Sequence, residues 1–333
     1  MSLTHELRSR RAMNRRRVCL GAAVTALALP LAGCTTVHGE RANVPSVQQK
    51  EAASVVAHFL TVNNRAGAGY LSQDVLTIES GALGATDEAG LRARHANHPE
   101  GNPKYQPLAF SDPRYLIPRQ VGWPKFFVAD VATNRDKNSR WLLVFRHSAP
   151  GQPWKASYVA SVRTAALPEF ARDKDGNAEA VGLGGTDLLV QPGQLSQSYA
   201  TYLTSGGDGV FADGASTSQL RADRGAHAKT PNSVTQYADQ PASSGDYTPV
   251  ALRTADGGAL VFFASHHQSR ATFRAGYRVS VDDTTKALMT GTPKTSITLS
   301  HVADEAATVP RAGGSGRVVF LSRVVGLVSA KGE

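Results

Sequence analysis

Arg114, Tyr115, Arg119 and Trp123 form the densest group of side chains able to do recognition chemistry in this 333-residue chain. A guanidinium matches carboxylate or phosphate oxygens two at a time and stacks on aromatic rings, so these four are the candidate ligand-binding set. If they lie on a strand, alternation turns the arginines outward and the aromatics inward, and the group is packing instead. The histidines signal less. His95 and His98 can share a helix face as metal ligands do, but no carboxylate stands at a matching position, so no metal site is assigned. His266 and His267 are adjacent on a strand-like run, which turns their rings to opposite faces. Asp282-Asp283 precede Thr284-Thr285 at a turn leading into a helical stretch, and a carboxylate pair for glycoside chemistry needs a fixed separation across a cleft. Asp173-Lys174-Asp175-Gly176-Asn177 departs from the calcium-loop spacing, with its glycine too early and no closing glutamate, and reads as an exposed turn. Gly182-Leu183-Gly184-Gly185 lacks the strand and the downstream acid of a dinucleotide site. No G-x-S-x-G occurs. No catalytic residue and no cofactor is assigned.

The other reactive residue is Cys34. Arg8, Arg10, Arg11, Arg15, Arg16 and Arg17 make a basic front with only Glu6 against it, and Val18 to Leu31 then run apolar and small. A run of about fourteen residues is too short for a helix across the hydrocarbon layer but suits an export signal. Leu31-Ala32-Gly33-Cys34 closes the run and resembles the lipobox of bacterial lipoproteins. That resemblance implies cleavage between Gly33 and Cys34 and a diacylglycerol on the cysteine sulfur. Two acyl chains hold a protein stably on a membrane where one does not. Arg15-Arg16, before Arg17-Val18-Cys19-Leu20, also looks like a twin-arginine export motif.

Removing residues 1–33 takes six of the 36 Lys+Arg and one of the 27 Asp+Glu, leaving 30 basic against 26 acidic residues, a net charge of +4. Most of the basicity thus belongs to the signal, and nucleic-acid binding loses its compositional support. Cys19 leaves with the signal and Cys34 is acylated, which excludes disulfides, a cysteine nucleophile and a cysteine-bound structural metal.

These side chains need elements to hold them. Residues 34–45 read as a tether. Ser46-Val47-Gln48-Gln49 resembles a capping box; Ala52, Val55, Val56, Phe59 and Leu60 then repeat at helical spacing, with Asn63-Asn64, Gly67 and Gly69 ending the helix. A second helix is expected over Thr86 to Ala96, with Asp87 and Glu88 in its first turn. Pro107 to Gln120, Lys125 to Thr133, Ser139 to His147 and Trp154 to Val162 read as strands separated by turn residues. A polar, glycine-rich linker over residues 168–191 divides a first domain, 46–167, from a second, 192–333. The second half repeats the first: Leu195, Tyr199, Tyr202 and Leu203 give a helical face, Gln219 to Ala228 a second helix, and Tyr247 to Thr254 with Ala259 to His266 a hairpin about Asp256-Gly257-Gly258. Strands over 272–282, 294–302 and 316–329 complete a sheet. Phe59-Leu60-Thr61 recurs as Tyr202-Leu203-Thr204, and Leu143-Val144-Phe145 as Leu260-Val261-Phe262. The expected fold class is α+β, two tandem domains with helices packed on a curved antiparallel sheet.

Val62-Asn63-Asn64-Arg65, Asp112 through Gln120 and Ser148-Ala149-Pro150-Gly151-Gln152-Pro153-Trp154, with the lipobox, resemble an uncharacterised family of Streptomyces-type actinobacterial lipoproteins. The element order is similar to the cone-shaped nuclear-transport-factor-two-like fold. The resemblance implies attachment to the outer face of the plasma membrane through lipid on Cys34, and no known activity. The functional expectation is a non-enzymatic envelope lipoprotein that binds a small ligand, a wall component or another envelope protein. The rival is a hydrolase or isomerase with its site inside one cone.

Overall fold

A computed structural model of the chain describes residues 42–333 apart from Asp208. The signal, Arg15, Arg16, Gly33 and Cys34 lie outside the described residues. A short strand β1 (Val44–Pro45) leads into helices α1 (Gln49–Gly69), α2 (Ser72–Ile78) and α3 (Gly81–Asn97). Strands β2 (Phe110–Leu116), β3 (Arg119–Gln120), β4 (Lys125–Thr133), β5 (Ser139–His147) and β6 (Lys155–Arg163) follow. In the second half come α4 (Leu195–Ser205), α5 (Ser218–His227), β7 (Ser233–Ala242), β8 (Val250–Arg253), β9 (Ala259–Phe273), α6 (Asp283–Ala287), β10 (Met289–Gly291), β11 (Ser296–Val309) and β12 (Val319–Gly332). One antiparallel sheet has the order β2-β4-β5-β6; the other runs β10-β12-β11-β9-β7, with β8 pairing the same edge of β9 as β7.

The layering follows from the unbroken apolar runs. Buried on both faces, a strand needs apolar residues at every position rather than every second one. In β4, Phe127, Ala129 and Val131 face Val56, Phe59 and Val62 of α1, while Phe126 and Val128 face the other way, toward Leu252, Leu260 and Phe262 of the second sheet. In β9, Leu260 and Phe262 fill this shared core, and Val261 and Phe263 meet Leu195, Tyr199 and Leu203 of α4. The chain is therefore α+β with four layers: α1 and α2, the first sheet, the second sheet, then α4, with α3 packed where β6 meets β11 and β12. Each half is helices on a sheet, antiparallel throughout except for β10, which pairs β12 in parallel, and the sheets pack back to back. The polar stretch 168–191 lies across both, with Ala178 N–H donating to Ile117 O at 3.1 Å and Val181 N–H to Ala251 O at 3.0 Å.

Several expected elements differ. No capping box forms: Gln48 is the extended residue before α1 and makes no side-chain cap, while Ser46 N–H donates to Pro118 O and its buried hydroxyl has no partner. The segment is held by β3 instead. Helix α1 runs past Asn63-Asn64 to Gly69, because Asn64 bonds outward: its Oδ1 accepts from Tyr105 Oη at 2.7 Å and Leu108 N–H at 2.8 Å, and its Nδ2 donates to Leu108 O at 2.9 Å. Gly67 permits this, since a Cβ there would meet the Tyr105 ring at 2.8 Å. Helix α3 starts at Gly81, so Asp87 sits in its interior rather than its first turn. The strand expected over Ala259 to His266 runs on to Phe273, residues 274–282 form no strand, and β7 occupies a stretch for which no element is expected. The Leu-Val-Phe repeat is shifted by one residue: Leu143 and Phe145 face helices, whereas Leu260 and Phe262 face the sheet–sheet core.

Candidate functional site

A cavity of about 440 Å³ opens between α1, α3 and the first sheet, closed on one side by β11 and β12. Phe59, Leu83, Leu91, Tyr105, Trp141, Leu143 and Val159 make its walls largely apolar, and Arg94 and Arg135 line it as exposed side chains. Its volume lies in the range of small-molecule sites. Helix α3 can approach β12 this closely because residue 326 is glycine; a Cβ there would meet Thr86 at 2.8 Å.

Carboxyl groups from two long elements project into this apolar space. Asp87 comes from α3 and Asp304 from β11. Glu79, at the C-terminal end of α2, is 1% exposed and packs beneath the first turn of α3. Adjacent residues of a strand face opposite sides, so Asp304 turns to the cavity and Glu305 to the interior beneath α4. Asp304 Oδ2 accepts the Val159 N–H at 2.6 Å, satisfying the free edge of β6, but its Oδ1 is buried with no partner. Neither carboxyl oxygen of Glu79 has one. An unpaired polar atom away from water costs about 1–3 kcal/mol, more if charged. Burial accordingly pushes Asp304 well above the usual carboxylate range, and the charges of Glu305 and Asp87 add to the rise. Burial and the Asp87 charge do the same to Glu79, against a smaller opposing pull from the Asn63 amide. Burial pushes Asp87 up to about 6, with Arg94 opposing.

A second polar cluster lies beneath α4. His267 Nδ1 meets Asp239 Oδ1 at 2.5 Å, and its Nε2 meets Ser265 Oγ at 2.9 Å. These are the distances of a Ser-His-Asp relay. Ser265 is fully buried and donates to Glu305 Oε2 at 2.9 Å, so a substrate carbonyl cannot approach its oxygen while β9 stays in the sheet. The cluster is a clamp. Helix α5 buries no residue of its own; Arg224 fastens it to Asp239 with two bonds of 2.7 and 3.0 Å and lies 4.9 Å from the Tyr237 ring centre. Burial alone would lower the His267 pKa, but Asp239 and Glu305 outweigh it and hold the ring above its ordinary value. Arg224→Met should free α5 and cost about 2 kcal/mol for the lost charged hydrogen bonds. Hydrogen exchange should accelerate across residues 218–227 while β4 and β5 stay protected; unchanged exchange in α5 would remove the clamp.

The residues singled out by sequence are not gathered together. Arg114 pairs with Asp112 at 3.0 Å on the surface. Tyr115 packs edge-on against Phe127. Arg119 donates to the Asn43 carbonyl at 2.8 Å and to Asp175 at 3.4 Å, and Trp123 lies against His147 and Lys125. Each is engaged locally, and none lines the cavity. His98 lies past the end of α3, 3.5 Å from Glu100, with both side chains exposed. Asp282 caps α6, accepting Thr285 N–H at 2.9 Å. Asp173 accepts the N–H groups of Asp175 and Asn177, each at 2.9 Å, as an exposed turn. Among the described residues, no group of three or more His, Cys, Asp or Glu is placed to hold a metal. Glu79 and Asp304 went unread in sequence, although an Asp-Glu pair inside a run of Val and Ala was a usable signal of buried acids.

Among the described residues no helix is long and apolar enough to cross a membrane. Comparison with known proteins bears on the whole chain. An uncharacterised lipoprotein of Streptomyces avermitilis is 46% identical over 336 residues, with all of both chains covered. One from Streptomyces coelicolor is 44% identical over 94% of each chain, and a second from that species is 27% identical over 92% of each. No solved structure matches. Residues 43–332 match the model of a domain of unknown function, DUF8094, and with these relatives that places the chain in the DUF8094 family of Streptomyces-type lipoproteins.

Proposed function

We propose that this lipoprotein is an anchored extracytoplasmic binding protein that takes a small, mostly apolar ligand into the α1–α3 cavity and does not transform it. Cys34, acylated after cleavage behind Gly33, holds it on the outer face of the plasma membrane, with residues 34–45 as the tether and Arg15-Arg16 in the export signal. The relatives' description as lipoproteins supports the anchor. The observation that carries the binding role is the cavity itself, whose aromatic and aliphatic walls enclose an Asp304 oxygen with no partner. Ligand sites are concave and apolar with a few convergent polar groups, which describes this one. An acid titrating near neutrality also suits proton transfer to a bound substrate, and that favours an isomerase as the second reading.

The test uses the mature chain made without lipid by Cys34→Ala and titrated with the apolar dye 1-N-phenylnaphthylamine. Saturable binding of one dye per chain is expected. Val324 lines the cavity yet is 40% exposed, so Val324→Trp can fill the space without disturbing a core. That variant should bind at least about tenfold more weakly, roughly 1.4 kcal/mol, with an unchanged unfolding midpoint. Equal binding by both proteins would remove the cavity as the site.

A further inference from the structure

We infer that the ligand of this cavity carries an ammonium group, seated at Asp87 and Asp304 with Glu79 behind them, and an apolar body lying against Phe59, Leu91 and Trp141. The inference rests on the binding reading above and adds the ligand's chemical class.

Three features of the site converge on a cation. The first is unmet hydrogen-bonding capacity. Asp304 Oδ1 and both oxygens of Glu79 are buried without a partner, whereas other buried acids of this chain are matched. Asp130 has Arg140, Asp239 has Arg224 and His267, and Glu305 has Arg323 and Ser265. Buried carboxylates are normally paired with a cation; here the fold sets only the Val159 N–H against Asp304, the Asn63 amide near Glu79 and Arg94 near Asp87. The second is mutual repulsion. Asp87 acts electrostatically on both Glu79 and Asp304, so the three negative charges cannot coexist in so small a space unless a cation or protons separate them.

The third is the kind of cation that fits. The acids are not arranged to chelate a bare metal ion. An ammonium instead offers three donors of its own, and the apolar walls reward an organic body attached to it. Arg94 and Arg135 are exposed at the cavity, where water can satisfy their donors. They do not ask for an anion in the way the buried acids ask for a cation.

The charged and titratable groups facing Asp87 are Arg94 on its own helix, Glu79 from α2, Asp304 from β11 and Arg135 from the β4–β5 turn, with Tyr158 of β6 facing Asp304. An empty site holds its protons because burial and like charge favour the neutral acids. An entering ammonium reverses that balance, so binding should release protons and strengthen as pH rises through about 6, where Asp87 titrates.

Three probes of one shape separate the possibilities: phenethylamine, 2-phenylethanol and 3-phenylpropanoate. They are titrated calorimetrically against the full lipidated protein in phosphatidylcholine nanodiscs, with empty nanodiscs subtracted, in two buffers of different ionisation enthalpy. Phenethylamine is expected to bind about tenfold or more tightly than the alcohol, since hydrogen bonds to charged groups are the strong ones, and to release protons. Raising the pH from 5.5 to 7.5 should tighten the amine alone. Asp87→Asn should remove the preference for the amine while the alcohol still binds; Asp304→Asn, which keeps an acceptor for Val159 N–H, is the second variant. Equal affinity for the three probes, or preference for the carboxylate, would overturn the cationic ligand and leave the apolar binding site standing. Binding of none would overturn both.

Discussion

Arg140→Met is expected to cost the protein about 3–5 kcal/mol, because it strands a buried carboxylate. Asp130 and Arg140 are neighbours across β4 and β5 at one end of the core between the two sheets, with side chains only 5% and 7% exposed. The guanidinium bonds Asp130 through its Nε, the Asp130 carbonyl at 3.2 Å, the Asp112 carboxylate at 2.9 Å and the Asp112 carbonyl at 2.7 Å. Burial pushes the Asp130 pKa above its ordinary value even with Arg140 beside it. Without Arg140 the group must stay charged and unpaired or take up a proton. The loss should therefore be largest at neutral pH and shrink toward pH 5. Asp130→Leu combined with Arg140→Met should regain most of it, since an apolar pair removes the desolvation penalty on both sides. Denaturant unfolding reads each variant. A single variant within about 1 kcal/mol of the parent would mean that water reaches Asp130.

The second large effect is a pH dependence that runs opposite to the common acid-labile pattern. Glu79, Asp87 and Asp304 have native pKa values raised above those of the unfolded chain. An acid of this kind contributes stability that is complete below its unfolded value and is lost as pH rises through its folded value, because the native state binds the proton more tightly. The ligand-free protein should therefore lose stability between about pH 5 and pH 7.5. Asp87, moved from 3.8 to about 6, corresponds to about 3 kcal/mol in all, of which roughly half is lost above pH 5. His267, with its raised value, pulls in the same direction as the pH climbs through its folded pKa. His266 and His301, lowered mainly by burial, pull the other way but are less enclosed than the acids. Asp304→Asn and Asp87→Asn should flatten the slope, and phenethylamine should remove it at high pH by supplying the missing charge. Stability that rises steadily from pH 5 to pH 7.5 would be incompatible with protonated acids in the cavity.

Much of the fold could be read from the chain because its strands carry strong signals. Lys125–Thr133 and Ser139–His147 were bounded correctly by turn residues on both sides. The central strands were legible as apolar runs, yet such runs hide which residue faces which layer, and the repeat of Leu-Val-Phe misleads by one position for that reason. Strand β7 was illegible: Ser233–Ala242 is an exposed edge strand rich in polar residues with Pro241 near its end, and edge strands are built that way to discourage further pairing. The strand expected over 294–302 stops short of the charged pair Asp304-Glu305. Strand β11 continues to Val309, and those two acids turn out to serve the cavity and the His267 clamp.

The candidate site was the least legible part, for a related reason. Its acids come from the end of α2, the interior of α3 and a distant strand, and only the packing of β11 beside β6 brings them together. Arginine beside aromatics at residues 114–123 gave the louder signal because the four are close in sequence. In the folded chain they are spread over separate local contacts.

Infrared difference spectroscopy of the ligand-free protein at pH 7 is the most direct test of the cavity's chemistry, since a protonated carboxyl and a carboxylate absorb in separate bands. A protonated-carboxyl band is expected to persist at that pH, to weaken in Asp304→Asn and to fall when phenethylamine is added. A spectrum with every carboxyl ionised at pH 7, unchanged by the amine, would contradict a site of buried neutral acids that waits for a ligand's positive charge.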